Sequence, residues 1–275
     1  MYPTHGGGSF CSIGAGGERT TTIGRERAAN PLLGAPDEDA FVARLLATFG
    51  SYPTYFGRLR ELNRLGSRVY GTFPALEPLD VEIAERLVSE GAELIDARPL
   101  EAFAAGHVPG SLSITLRPSF ASWLGWLVPD DRPLVFVLDP GQDRADLVRQ
   151  ALGIGYERLA GEIGGGMSAW RAAGRAITTT ALVHGLDRAR PIVDVRQASE
   201  YRAGHVRGAH LVELGALGEP SAAAIPAGAT IMCGRGERAM SAASIAERAG
   251  ISSSVFVGSP TDWADASREP LERAP

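Results

Sequence analysis

Not one lysine occurs among the 275 residues; all 27 basic side chains are arginine. That absence removes a P-loop lysine, a Schiff-base amine and a lysine general base together. Genomic compositional bias accounts for the missing lysines, and the exclusion holds whatever the cause. Cysteine is nearly as scarce: Cys11 and Cys233 stand alone and far apart. A disulfide framework is therefore not expected, and a free thiol in a cytoplasmic protein is. No apolar run approaches the roughly 20 residues that span a bilayer, and MYPTHGGGSF does not have the form of a signal peptide. A formal net charge of −5 argues against nucleic acid or an anionic membrane as the main partner. The five histidines, His5, His107, His184, His205 and His210, are scattered, and no metal site is expected. What remains is a chain 44% hydrophobic, long enough for about two domains.

An internal repeat organises it. Residues 94–112, LIDARPLEAFAAGHVPGSL, align with 192–210, IVDVRQASEYRAGHVRGAH. Asp96 matches Asp194, Arg98 matches Arg196, Phe103 matches Tyr201, and Gly106-His107-Val108 matches Gly204-His205-Val206. The offset is constant and domain-sized, which is the mark of a duplication. In the first copy the buried-strand pattern PLVFVLD leads through PGQDR to a helical ADLVRQALGIG, with Leu147, Val148, Ala151 and Leu152 at helical spacing. In the second, TIMC leads through GRGER to AMSAASIAERAG, with Ala242, Ile245, Ala246 and Ala249 on one face and Gly250 as C-cap. Strands alternating with helices predict parallel sheets covered on both faces, with sites at strand C-termini. Cys233 and Asp139 both fall at such ends.

A strand that turns tightly into a helix aims backbone N–H groups at one point, where the helix adds about half a positive elementary charge. An ordinary thiol, with a pKa of about 8.5, is only slightly ionised at neutral pH, and that focus favours the thiolate. Gly234 and Gly236 are expected to supply positive-φ turns; Arg235 and Arg238 supply cations, which Glu237 partly offsets. A cysteine at a strand end is more often a small buried hydrophobe, but the glycines and arginines turn the reading to an activated nucleophile.

With these motifs the chain resembles the tandem rhodaneses, sulfurtransferases acting on thiosulfate and persulfides. The resemblance rests on Asp96, Arg98, Gly106, His107 and Gly110, on Asp194, Arg196, Gly204, His205 and Gly208, on the C-x-x-G-x-R loop Cys233–Arg238, and on a late glycine-to-tryptophan stretch in each copy. It implies an α/β fold: two rhodanese-like domains, each a central parallel β-sheet flanked by helices, at 76–180 and 181–275. It also implies that Cys233 carries a sulfane sulfur as a persulfide, cradled by residues 234–238. Asp139 then stands where the first copy's nucleophile would be, and a carboxylate cannot accept sulfur, so that copy is silent and serves packing or shapes the neighbouring entrance. Asp194 and Arg196, like Asp96 and Arg98, read as loop buttresses, and His107 and His205 as turn stabilisers.

Residues 1–75 do not share the repeat. Within them TIGRERAAN reads as a short helix ending at Asn30-Pro31. DEDAFVARLLATF reads as an amphipathic helix burying Phe41, Leu45, Leu46 and Phe49, and TYFGRLRELNRLG as one offering Phe56, Leu59 and Leu62. His5, Gly6, Ser9, Thr22, Gly24, Glu26, Asn30 and Pro31 resemble the late segment of metallo-β-lactamase-fold hydrolases and persulfide dioxygenases. The stretch is thus expected to be the mainly helical end of such a domain, fused to two rhodanese domains. The H-x-H-x-D-H signature is absent, so no cofactor is expected here; iron would be expected only with a complete domain of that fold. Cys11 reads as structural.

Three functions compete. The leading one is sulfur transfer through Cys233, with small sulfur anions and thiols as partners and a metallo-β-lactamase-fold polypeptide as a further partner. The second is a non-catalytic interaction module, or a truncated part of a dioxygenase fusion. The third is a cysteine-dependent phosphatase or arsenate reductase, disfavoured because only Gly234, Arg235, Gly236 and Glu237 separate Cys233 from Arg238, where those enzymes use five residues. The sequence leaves oligomeric state undetermined.

Overall fold

The computed structural model describes residues 20–48, 53, 55–66, 68–217 and 223–273. The expectations resting on His5, Gly6, Ser9, Cys11 and Phe49 lie outside these residues. The chain falls into two units, Met1–Tyr52 and Pro53–Pro275. The first contains α1 (Ile23–Ala29) and α2 (Glu38–Thr48). Thr22 caps α1, its hydroxyl accepting from the Arg25 amide, and Asn30 ends it before Pro31, where the sequence places the stop. Of the residues expected to be buried along α2, Phe41 and Leu46 are exposed, at 36% and 62%, and Leu45 is half-buried.

The second unit opens with α3 (Phe56–Leu65), which lies against the first repeat rather than apart from it. Arg58 pairs with Asp130, donates to the Ile154 carbonyl at 3.3 Å and stands 5.1 Å over the Tyr156 ring. Then follow β1 (Pro78–Leu79), α4 (Val81–Ser89), β2 (Glu93–Asp96), α5 (Leu100–Ala105), β3 (Leu112–Ser113), α6 (Phe120–Leu127), β4 (Leu134–Val137), α7 (Arg144–Gly153), β5 (Leu159–Ile163) and α8 (Gly166–Ala172). The second copy runs β6 (Ala181–Val183), β7 (Ile192–Asp194), α9 (Ala198–Ala203), β8 (His210–Leu211), a 3₁₀ turn (Leu214–Ala216), β9 (Ala229–Met232), α10 (Glu237–Arg248), β10 (Ser253–Phe256) and α11 (Pro260–Ser267).

Each copy forms a five-stranded parallel sheet, in the order β1-β5-β4-β2-β3 and β6-β10-β9-β7-β8. The two orders are the same path, as the duplication requires. Central strands β4 and β9 are buried throughout, which explains their unbroken apolar runs.

One hydrophobic cluster extends through both copies, holding Ile95, Phe103 and Phe136 together with Val193, Ile231 and Ala242. Helix α10 is the seam. Its sequence shows one apolar face, yet it is buried from Ala239 to Ala246 because it packs on its own sheet and on β3 of the other copy. Ser241 and Ser244, polar by composition, are buried there. The Ser241 hydroxyl donates to the Ser113 carbonyl at 2.6 Å, and the Ser113 amide donates to the Ser244 hydroxyl at 3.1 Å. Among the described residues no helix is long and apolar enough to cross a membrane.

Candidate active site

Strand β9 lies between β7 and β10, and Asp194 pairs in register with Met232, so Cys233 emerges at the C-terminal edge of the sheet's centre. Four residues later α10 is under way. Gly236, its N-cap, has φ 107°, and a Cβ there would come within 2.8 Å of Leu100 Cδ2 from the first copy. Gly236→Ala is expected to lower stability by more than ~1 kcal/mol and to distort the loop; unchanged urea midpoint and turnover would contradict this. Gly234 differs from expectation, since it has no positive φ. Its missing side chain makes room for Arg238, whose Nη2 would be 3.3 Å from an added Cβ.

The thiol of Cys233 is free, and the residue is 1% exposed. It nevertheless lines a cavity of about 180 Å³, together with Arg117, Gly234, Arg235, Glu237 and Arg238. The Gly236 amide donates to Sγ at 3.1 Å. Among the described residues the amides of Gly234, Arg235, Glu237 and Arg238 have no protein acceptor. The loop thus leaves several N–H groups unused beside Cys233, and the N-terminus of the 12-residue helix α10 adds its dipole to them. Such a cradle fits a small anion or an anionic sulfur.

Arg238 is fixed rather than mobile. It donates to both Glu200 oxygens at 2.6 and 2.9 Å, and its guanidinium carbon lies 5.9 Å from the Trp123 ring centroid. Burial pulls its pKa down, but the Glu200 hydrogen bonds and the charges of Cys233, Glu200 and Asp194 outweigh that, and the guanidinium is held above its ordinary value. Burial likewise pushes the Glu200 carboxyl up, and its bonds to Arg238 overcome this to hold it below the usual range. Arg235 is exposed at the rim and has no ion pair among the described residues. Arg117 of the first copy donates to Glu237 at 2.8 Å.

Glu200, Arg117 and Trp123 are site residues that the motif reading does not reach. Glu200 carries one local signal, the capping box it completes with Gln197. Arg117 and Trp123 carry none, because they arrive from the other copy.

Asp194 and Arg196 form a buried pair beside the loop. Arg196 donates through Nε and Nη2 to Asp194 and through Nη2 to the Gly204 carbonyl at 2.7 Å. Arg98, Asp96 and the Gly106 carbonyl repeat the arrangement; burial pushes the Asp96 carboxyl up, against the pull of Arg98. His205 bonds the Tyr201 carbonyl through Nδ1 at 3.0 Å and stacks on the Tyr201 ring, outside the Cys233 cavity. His107 does the same with Phe103 and also meets Glu247 of α10 at 3.0 Å.

In the first copy, sheet register corrects the expected correspondence. Asp96 pairs with Val137 as Asp194 pairs with Met232, so Leu138 occupies the place of Cys233 and Asp139 lies one residue beyond it. The connection to α7 runs from Leu138 to Asp143, two residues longer than its counterpart, and this shifts the simple residue count. The loop is also turned inside out. Arg144 donates to the carbonyls of Asp139, Pro140 and Gln142, filling the centre with a cation and carbonyl oxygens where the second copy has open amides. Neither Leu138→Cys nor Asp139→Cys, placed on a Cys233→Ser background, is expected to gain sulfur transfer; appearance of turnover in either would contradict the inverted-loop argument.

Among the described residues no three His, Cys, Asp or Glu side chains gather as a metal site.

The family model described as the rhodanese-like domain matches residues 80–173 and 178–266. The Arabidopsis thaliana protein HIGH ARSENIC CONTENT 1, mitochondrial, is 30% identical over 115 residues, covering 38% of this chain and 68% of that protein. The chain is similar to a metallo-β-lactamase structure from Staphylococcus aureus subsp. aureus COL, with a TM-score of 0.44 and 24% identity over 58% of this chain and 43% of that one. It is also similar to a thiosulfate sulfurtransferase from Pseudomonas aeruginosa, with a TM-score of 0.32 and 20% identity over 76% of this chain and 46% of that one. It spans less than half the length of each of these two solved chains.

Proposed function

The chain belongs to the rhodanese-like domain family, and from that membership we propose that it moves sulfane sulfur through a persulfide on Cys233. The thiolate attacks the outer sulfur of thiosulfate; a new S–S bond forms to Cys233, the old one breaks, and its electron pair leaves with sulfite. The terminal sulfur, now anionic, rests among the amides of the 234–238 loop. Cyanide or a thiolate then attacks that sulfur and departs as thiocyanate or a new persulfide, returning the Cys233 thiolate. A low-molecular-weight persulfide serves as donor by the same displacement, losing its thiolate.

The observation that carries this reading is the Gly236 amide directed at Cys233 Sγ within a loop of unused amides. Intact mass after brief incubation with thiosulfate is expected to show one added sulfur, removed again by cyanide. No adduct at any donor concentration would leave the interaction-module reading in its place.

In this proposal 76–180 is the silent repeat, 181–275 the active one and 1–75 the end of a metallo-β-lactamase-like domain whose remainder is a candidate partner. A reduced cysteine suits the cytoplasm; one relative's name specifies mitochondrial.

A second reading, arsenate reduction or phosphate-ester cleavage, draws on the name of the Arabidopsis relative. The four-residue spacing between Cys233 and Arg238 favours sulfur transfer over the phosphatase-type reaction. Turnover of arsenate or an aryl phosphate, lost in Cys233→Ser, would reverse that preference.

A further inference from the structure

The silent repeat reaches into the active cavity, and there it does more than pack. Arg117 lies just past β3, on a segment fixed at several points. The Ile114 amide bonds the Asp96 carbonyl, the Leu116 amide bonds the Ala97 carbonyl, and Ser113 is tied to α10 by Ser241 and Ser244. The helix that presents the Cys233 loop is therefore also the platform against which Arg117 is set.

The three arginines of the cavity are not equivalent. Arg238 is clamped by both oxygens of Glu200 beside Trp123. Arg235 is exposed at the rim. Arg117 is half-buried and holds Glu237 through Nη1 alone, leaving the rest of its five-donor guanidinium toward other partners. Glu237 in turn is a residue of the loop itself and lines the same cavity.

We infer that Arg117 of the catalytically silent repeat is a donor-positioning residue that selects doubly charged sulfur donors for Cys233, with Glu237 occupying it until the donor arrives. The inference rests on the sulfurtransferase reading and deepens it. A dianionic donor such as thiosulfate keeps one charge on the sulfur attacked by Cys233 and the other on the sulfonate. As the S–S bond breaks, the electron pair moves onto the departing sulfite, which leaves as a dianion. A bidentate cation opposite the loop amides meets that distal charge in the ground state and on departure. A monoanionic donor, methanethiosulfonate, transfers its outer sulfur by the same displacement and releases methanesulfinate, which carries one charge fewer for Arg117 to meet. Glu237, removed from Arg117 by the incoming anion, sets a competition that only a strongly anionic donor wins.

The test is steady-state sulfur transfer to cyanide from thiosulfate and from methanethiosulfonate, using the full chain and its Arg117→Gln, Arg117→Lys and Glu237→Gln variants. Arg117→Gln is expected to raise the thiosulfate KM about tenfold, the loss of one charged hydrogen-bonding pair, while the methanethiosulfonate KM changes less than about threefold. Arg117→Lys, keeping the charge without the fork, recovers part of the thiosulfate KM. Glu237→Gln lowers the thiosulfate KM by freeing Arg117. Equal KM changes for both donors in Arg117→Gln, or a rise in thiosulfate KM in Glu237→Gln, would overturn the assignment. Should Arg117→Gln fail to fold, the donor ratio in Arg117→Lys and Glu237→Gln decides the matter. Failure of the unaltered chain to use either donor overturns the sulfurtransferase reading itself, and this inference with it, an outcome visible before any variant is made.

Discussion

Cys233→Ser is expected to bring sulfur transfer to background while leaving the protein folded. An alcohol is a far weaker nucleophile than a thiolate and cannot hold a sulfane sulfur, so both halves of the cycle fail at once. The fold should hardly notice. Serine is slightly smaller than cysteine, and its oxygen accepts the Gly236 amide that now bonds Sγ at 3.1 Å. The neighbours that set the loop, Gly236 against Leu100 and Arg238 on Glu200, do not depend on the sulfur. Turnover with thiosulfate and cyanide, beside a urea unfolding curve, checks both halves. Undiminished turnover would remove Cys233 from the chemistry, and a collapsed unfolding midpoint would make the cysteine a core residue.

Asp194→Ala is expected to cost about 3–5 kcal/mol of unfolding free energy, the penalty of stranding one partner of a buried pair. Asp194 is fully buried, and Arg196 directs Nε, Nη2 and its own amide at the carboxylate. Without it the guanidinium retains only the Gly204 carbonyl while staying 9% exposed, too little water to solvate a charge. Because typical domains are stable by only about 5–15 kcal/mol, the variant should unfold at markedly lower urea concentration. Activity should fall too, since Asp194 pairs with Met232, the residue before Cys233. Asp96→Ala in the first copy should destabilise to a similar degree through Arg98, without a direct effect on the Cys233 loop. A loss under about 1 kcal/mol in Asp194→Ala would mean that the pair is solvated in solution.

The duplication was legible because it needs no tertiary information. Asp96 and Asp194 recur at one offset, and each is bound to an arginine two residues on, a contact within one turn of chain. The Cys233 loop is legible for the same reason: a buried strand, a cysteine, glycines and a helix follow one another along the sequence. Errors arose where residue count stood in for geometry. Position in the loop sets Asp139 against Cys233, whereas the hydrogen-bond register of β2 and β4 assigns that place to Leu138. The spacing marks Gly234 as a conformational glycine, and the structure makes it a spatial one. The burial of Ser241 and Ser244 is announced by no local pattern, because the sheet that covers that side belongs to the other copy.

The sequence alone determined the two-copy parallel architecture, the Asp–Arg pairs and the strand–cysteine–glycine–helix order around Cys233. Each is written in short-range spacing, and backbone sterics and strand periodicity act at short range. Only the tertiary structure decided that Arg117, Trp123 and Leu100 belong to the second copy's site, that Glu200 fixes Arg238, and that the first copy's loop is filled by Arg144. The Arg144 and Glu200 contacts fold back within one copy, whereas those of Trp123, Arg117 and Leu100 join residues 115 to 136 positions apart across an interface packed by α10. Which side chains meet there depends on how two hydrophobic faces dock, a property of the folded surface that no stretch of chain carries by itself.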